Sequence, residues 1–206
     1  MGHASAARGL IRTLASRIFV ITGPSGVGKG TLIRALRERM PELALSVSAT
    51  TRPARTGEED GNDYHFLSPE EFAERAEGGD FLEHATFSGN RYGTLRSEVE
   101  RRLAAGESVL LEIEVQGARQ VRAALGDEAV LIFIAPPDPE VLRERLAGRG
   151  TDSEEAIERR LETAKQELEA QQEFKHVIVN DDIDHAADEL ERIVRDELDE
   201  PSRTNT

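Results

Sequence analysis

Residues 23–30, Gly-Pro-Ser-Gly-Val-Gly-Lys-Gly, carry the clearest chemistry in the chain. Gly23, Gly26 and Gly28 permit backbone conformations that side chains forbid. The run Gly23, Pro24, Ser25, Gly26, Val27, Gly28 can therefore turn its backbone N–H groups onto a phosphate, helped by the positive end of a following helix. Lys29 is placed to reach the β- and γ-phosphates of a nucleoside triphosphate. A glycine-rich strand-to-helix turn with an exposed lysine would share the composition. An apolar strand before the loop and a helix after it favour the phosphate cradle. The pattern usually continues with a hydroxyl residue that touches Mg²⁺, but here Gly30 follows the lysine and Thr31 comes next. Either Thr31 substitutes, or water and phosphates supply more of the coordination.

A phosphate loop specifies a nucleotide and leaves the acceptor open. Residues 46–66 hold Ser48, Arg52, Arg55 and Tyr64. Two guanidinium forks with hydroxyls suit a monophosphate dianion, because arginine grips phosphate oxygens bidentately. By spacing alone these arginines also fit a solvated surface. Glu112 and Glu114 stand two apart at the end of an apolar run, which predicts both on one face at a strand end, where ligands of parallel sheets sit.

These residues need a scaffold, and the apolar pattern supplies one. Residues 17–23, 108–115, 129–135 and 176–180 read as buried strands, and 31–40 as a helix ended by Pro41. Ile157, Leu161, Ala164 and Leu168 keep helical spacing. Strands separated by helices predict an α/β fold with a parallel sheet covered on both faces. Residues 46–94 break that rhythm with short β-like pieces and polar, glycine-rich turns, and so read as an inserted lobe. Residues 146–160 form a smaller interruption, where Asp152 and Glu155 resemble a capping box. The result is one core with two appendages. At 206 residues the chain can bury one sizeable core. A net charge of −14 argues against a general nucleic-acid binder but not against a local basic pocket. The absence of cysteine excludes disulfides, thiol catalysis and cysteine-ligated zinc, and fits a cytoplasmic setting. No apolar run approaches the roughly 20 residues needed to span a bilayer. Residues 1–16, with Arg8 and Arg12, read as a flexible extension, although a transit peptide has similar composition.

Taken in order, 46–66, "FLEHATFSGNRYGT" (81–94), "LEIEVQG" (111–117), "LIFIAPP" (131–137), "RLAGRGTDSEEAIERRL" (145–161) and "VIVNDD" (177–182) closely resemble the guanylate kinase family over about residues 17–195. The resemblance implies a three-layer phosphate-loop core (17–45, 95–144 and 161–200), a mixed α/β GMP-binding lobe (46–94), a small helical lid (145–160) and a C-terminal tail (201–206). It implies transfer of the ATP γ-phosphate to GMP with Mg²⁺, and no nucleic-acid or membrane partner. It places Ser48, Arg52, Arg55, Tyr64 and Tyr92 at the GMP phosphate. Glu83 would receive guanine N1–H and N2–H, with Thr94 beside guanine O6. Glu112 is similar to the family's acid near Mg²⁺, and Glu114 occupies a place where many relatives carry aspartate near the guanine. Arg145, Arg149 and Arg160 resemble lid arginines that close over the transferring group, and Asn180 a contact to adenine or its loop. GMP would fold the lobe inward and ATP would bring down the lid. The alternatives are a guanylate-kinase-like binding module without catalysis, a kinase for another nucleoside monophosphate, and a phosphate-loop GTPase, for which the "NKxD" motif is missing.

Overall fold

The run Ile18–Thr22 is apolar and β-branched at nearly every position, and it forms β1 with all five residues buried. A strand apolar on both faces must be covered on both, which is the condition of a parallel sheet. The computed structural model describes residues 16–87, 89–147 and 154–199, and it shows that arrangement. A five-stranded, all-parallel sheet has the order β2 (Ala44–Leu45), β7 (Val109–Glu112), β1, β8 (Ala129–Ala135), β9 (His176–Val179). Phe19 and Ile21 face α1 (Lys29–Arg39) and α7 (Ile183–Asp199), where Leu36, Leu190 and Val194 complete one core. Ile18 and Val20 face α3 (Arg96–Ala104) and α4 (Val115–Leu125), where Val99, Val121, Phe133 and Phe174 complete the other. This is the three-layer α/β core expected from the sequence.

The inserted lobe is a second sheet in the order β4 (His65–Phe66), β3 (Ala49–Thr50), β6 (Asn90–Leu95), β5 (Phe81–Phe87). Its apolar floor comes from α2 (Pro69–Glu77), a helix that the reading of short β pieces passed over. The signal for it was present. The Ser68 hydroxyl accepts the Glu71 N–H at 3.1 Å, the Glu71 carboxylate accepts the Ser68 N–H at 2.9 Å, and Pro69 opens the helix. Phe72 of α2 stacks on Phe81 at 4.4 Å between ring centroids, joining helix to sheet. α5 (Pro139–Ala147) and α6 (Glu154–Glu169) pack through Leu142, Leu146, Leu161 and Ala164. Arg149, Asp152 and the side chains of Glu155 and Ile157 lie outside the described residues, as do 1–15 and 200–206.

Two strand expectations need correction. The run 108–115 is a strand only to Glu112, and Glu114 caps the start of α4 with φ −78° and ψ 163°. The two acids therefore do not share a strand face. The chain turns between them because Val115, Ala118 and Val121 repeat at helical spacing and are all buried against the sheet. The run 176–180 reads as fully buried, but β9 is an edge strand on which Val177 and Val179 are 38% and 46% exposed.

Candidate functional site

Among the described residues, the candidate ligand-facing groups cluster at the C-terminal ends of the core strands, on α5 and α6, and on the lobe. The loop after β1 adopts left-handed backbone at Gly26 (φ 86°) and at Gly28 (φ 100°), the residue capping α1. A β-carbon on Gly28 would lie 2.6 Å from Asn180 Nδ2, so only glycine fits there. Lys29 opens α1 and is 8% exposed. Its ammonium donates to the carbonyls of Gly23 (2.6 Å) and Pro24 (3.2 Å), which holds it across the mouth of the loop. Asn180, just past β9, braces the loop by donating Nδ2 to the Val27 carbonyl at 2.7 Å. Arg145 donates to the carbonyls of Val27 (3.3 Å) and Asn180 (3.0 Å), while Arg160 of α6 donates to the Ser25 hydroxyl at 2.8 Å. Both arginines thus reach the phosphate loop from the α5–α6 hairpin.

Glu112 ends β7 beside the helix start, its carboxylate oxygens 3.6 Å from where a β-carbon on Gly30 would stand. Water reaches this carboxylate, but the surrounding walls still raise its pKa, with Lys29 opposing and Glu114 adding to the rise. A cavity of about 410 Å³ opens here between Gly30, Ile33, Arg34, Leu45 and Glu112. Thr31 is exposed on the first turn of α1.

On the lobe, a bulge in the β5–β6 ladder after Phe81 sets Glu83 opposite Thr94. Both are sealed, at 4% and 1% exposure, and the Thr94 hydroxyl donates to Glu83 Oε1 at 2.7 Å. Burial pushes the Glu83 carboxyl up to about 7; the Thr94 contacts oppose the rise and Glu114 adds to it. Arg52 is held by the Glu58 carboxylate through both terminal nitrogens, each at 2.9 Å, and lies over the rings of Tyr64 (5.3 Å) and Phe66 (5.8 Å). Tyr92 meets Tyr64 edge-on at 6.2 Å and faces Arg52. Ser48 is half-buried just before β3, and its carbonyl accepts the His65 N–H. Arg55 is exposed, with its backbone N–H on Glu58 at 2.7 Å.

One basic loop therefore faces a lobe holding a second cation and a sealed carboxylate. The family model for guanylate kinase matches residues 15–197. The chain belongs to the guanylate kinase family. It is 59% identical to "Guanylate kinase" of Synechococcus sp. (strain CC9311) over 177 residues, covering 86% of this chain and 93% of that one. It is 54% identical to "Guanylate kinase" of Gloeobacter violaceus over 188 residues, covering 91% of each. The crystal structure of guanylate kinase from Anaplasma phagocytophilum matches with a TM-score of 0.75 at 36% identity, covering 92% of this chain and 89% of that one.

The structure gathers Lys29, Arg145, Arg160 and Asn180 at the loop, and Arg52, Tyr64, Tyr92, Glu83 and Thr94 on the lobe. Arg55 is exposed and joins this group only through its backbone N–H on Glu58. Two acids in the cleft went unread in the sequence. Glu58 sits in an acidic run that looks like solvated loop. Glu167 lies next to the apolar stripe of α6, which was its only signal. It accepts the Ser25 N–H and faces Glu114, and burial first, then that neighbour, pushes it up to about 8. Glu114 carries a buried Oε2 without a hydrogen-bond partner.

Proposed function

We propose that this chain transfers the γ-phosphate of ATP to GMP, releasing ADP and GDP, with the phosphate loop as donor site and the lobe as acceptor site. The observation that carries this reading is the sealed Glu83–Thr94 pair across the cleft from Lys29. An ionised carboxylate only accepts hydrogen bonds, and guanine presents N1–H and N2–H side by side where adenine does not. Placed there, Glu83 selects guanine, since mismatched bases leave its oxygens unpaired. Ser48, Arg52, Arg55, Tyr64 and Tyr92 surround the acceptor phosphate, and Glu114 lies towards the base. Gly23 to Thr31 cradle the donor phosphates, and Asn180 borders the nucleoside side of the loop.

No covalent intermediate is needed. A GMP phosphate oxygen forms the new bond to Pγ as the bond from Pγ to the β-bridging oxygen breaks, and the electron pair leaves on ADP. The protein supplies alignment and positive charge. Lys29 turns from the Gly23 and Pro24 carbonyls towards the β- and γ-oxygens. Arg145, Arg149 and Arg160 bring further charge from the lid, and closure keeps water from taking the phosphate.

Among the described residues no cluster of three acids or histidines could cage a metal. Mg²⁺ is nonetheless compatible, because it takes one or two protein donors and fills the remainder with phosphate and water. Glu112, water-accessible beside Gly30, and the exposed Thr31 hydroxyl are the donors within this loop region. When bound there, Mg²⁺ would supply neutralising charge for the donor phosphates. Among the described residues no helix is long and apolar enough to cross a membrane. A role in cytoplasmic purine nucleotide metabolism is in keeping with the reaction.

A coupled assay with ATP and GMP, AMP, UMP or CMP tests the assignment. GMP should be the preferred acceptor by orders of magnitude. Lys29→Ala should abolish turnover with every acceptor, and Glu83→Ala should chiefly damage GMP use. Comparable turnover of AMP and GMP by the unsubstituted protein would overturn it.

A further inference from the structure

The guanine-reading carboxylate belongs to the lobe, but a helix of the core packs directly against it. α4 presents Gly117 to it: a β-carbon there would lie 2.3 Å from Glu83 Oε2 and 3.0 Å from its Cδ. No real side chain tolerates that approach, so the absence of one at position 117 lets the carboxylate lie against the helix backbone. One turn on, the Gln120 side chain forms a two-way bridge to the next residue of β5. Its Oε1 accepts the His84 N–H at 3.2 Å, and its Nε2 donates to the His84 carbonyl at 2.8 Å. From the opposite side Gly93 of β6 leaves space for the Glu83 backbone, since a β-carbon there would stand 2.9 Å from the Glu83 carbonyl oxygen. With Thr94 on Oε1, both carboxylate oxygens are located: one by a hydroxyl on the lobe, the other by a helix of the core.

We infer that Gly117 and Gln120 of α4 are positioning residues for guanine selection, pinning the Glu83 end of the acceptor lobe to the core so that Oε2 stands where the base needs it. This rests on the acceptor reading of Glu83. Gly117 admits the carboxylate and Gln120 fixes the backbone that carries it. Neither residue need touch the nucleotide. The guanine end of the lobe is thereby tied to the phosphate-loop core.

Two substitutions test this. Gly117→Ala is ordinarily favourable inside a helix, but here it must push Oε2 aside. Losing one hydrogen bond to an ionised acceptor corresponds to about tenfold or more in affinity. KM for GMP should rise at least about tenfold, and the calorimetric Kd for GMP should weaken in step. The Kd for AMP, which offers no paired donors to a carboxylate, should stay put, as should KM for ATP and kcat at saturating GMP. Gln120→Ala should move GMP in the same direction by a smaller factor, and it decides the matter if Gly117→Ala fails to fold. Folded variants whose KM for GMP stays within twofold of the parent would overturn the inference. So would variants in which ATP, AMP and GMP binding weaken together with the melting temperature, because that is the signature of a merely structural role. A parent protein that does not turn over GMP with ATP would sink the acceptor reading itself, before either variant is made.

Discussion

Replacing Glu83 by glutamine should stabilise the empty protein at alkaline pH while crippling its use of GMP. Burial pushes the Glu83 carboxyl from its ordinary 4.5 up to about 7. Between those values the unfolded chain has released the proton and the folded chain retains it. The folded state therefore binds more protons, and its stability falls as pH rises through this window. At about 1.4 kcal/mol per pH unit the full loss is about 3 kcal/mol, complete above pH 7 and absent below 4.5. The sequence isoelectric point is near 4.9, so urea titrations are best run from pH 5.5 to 8.5. Over that range about 2 kcal/mol of the difference should develop. Glutamine keeps an oxygen for the Thr94 hydroxyl and has nothing to ionise. The stability of Glu83→Gln relative to the parent should thus climb by that amount with pH. Its kcat/KM for GMP should fall about 10²–10³-fold, because an NH₂ group now meets a guanine donor. In the parent, KM for GMP should rise below pH 7 as the acid protonates, and the variant, which does not share this titration, separates it from that of the GMP phosphate. Parallel stability curves for parent and variant would refute the claim that this carboxyl carries a burial penalty.

Three further outcomes follow from the same geometry. Lys29→Ala should lower kcat at least about 10²–10³-fold with GMP while circular dichroism and melting stay near the parent, since among the described residues the ammonium hydrogen-bonds to loop carbonyls. Arg52→Lys removes the fork that Glu58 and the rings of Tyr64 and Phe66 orient, so KM for GMP should rise about 10–100-fold with KM for ATP unchanged in steady-state assays. Glu197, 8% exposed, ties Arg17 (3.5 Å), Lys175 (2.9 Å) and His176 (3.1 Å) to α7 far from the cleft; Glu197→Ala should cost about 2 kcal/mol in urea unfolding and leave kcat alone.

What could be read in advance divides along physical lines. The strands β1 and β8 were legible because a run apolar on both faces has one stable home, the middle of a covered parallel sheet. The phosphate loop was legible because its glycine spacing is imposed locally, by φ at Gly26 and Gly28. β2 was not, because two residues at a sheet edge leave no period to detect. Glu114 was misplaced because two acids on alternate residues look alike in a strand and across a strand-to-helix turn; the apolar spacing that starts at Val115 is what decides. Glu58, Glu167 and Gln120 were invisible for another reason. Their neighbours lie 6, 53 and 36 residues away, at Arg52, Glu114 and His84, and only the folded chain brings each to its partner.

The acids that escaped notice change how the cleft is understood. A site for two polyanions would be expected to offer bare cations, yet three of the five Arg52 guanidinium donors are already taken: two by Glu58 and one by the Pro53 carbonyl. Glu167 meets the phosphate loop at the Ser25 amide and shares a side-chain hydrogen bond with Glu114. Arg52 is thus met by a carboxylate of the protein itself, whereas burial and Glu114 favour the neutral acid at Glu167. An incoming phosphate gains only the difference between its own charge-assisted bonds and those it displaces or shares, which keeps the gross attraction of the basic residues from becoming tight, indiscriminate anion binding. A monoanion such as chloride gains little over a carboxylate already in place, whereas a phosphate dianion with three oxygens gains on both charge and number of bonds. On the proposed function, phosphate would compete with Glu58 for Arg52, and guanine would be selected by the desolvated Glu83. The two groups are prepared in opposite ways: Arg52 is held charged by a partner that a ligand must displace or share, and Glu83 is held by burial against ionising until a donor arrives.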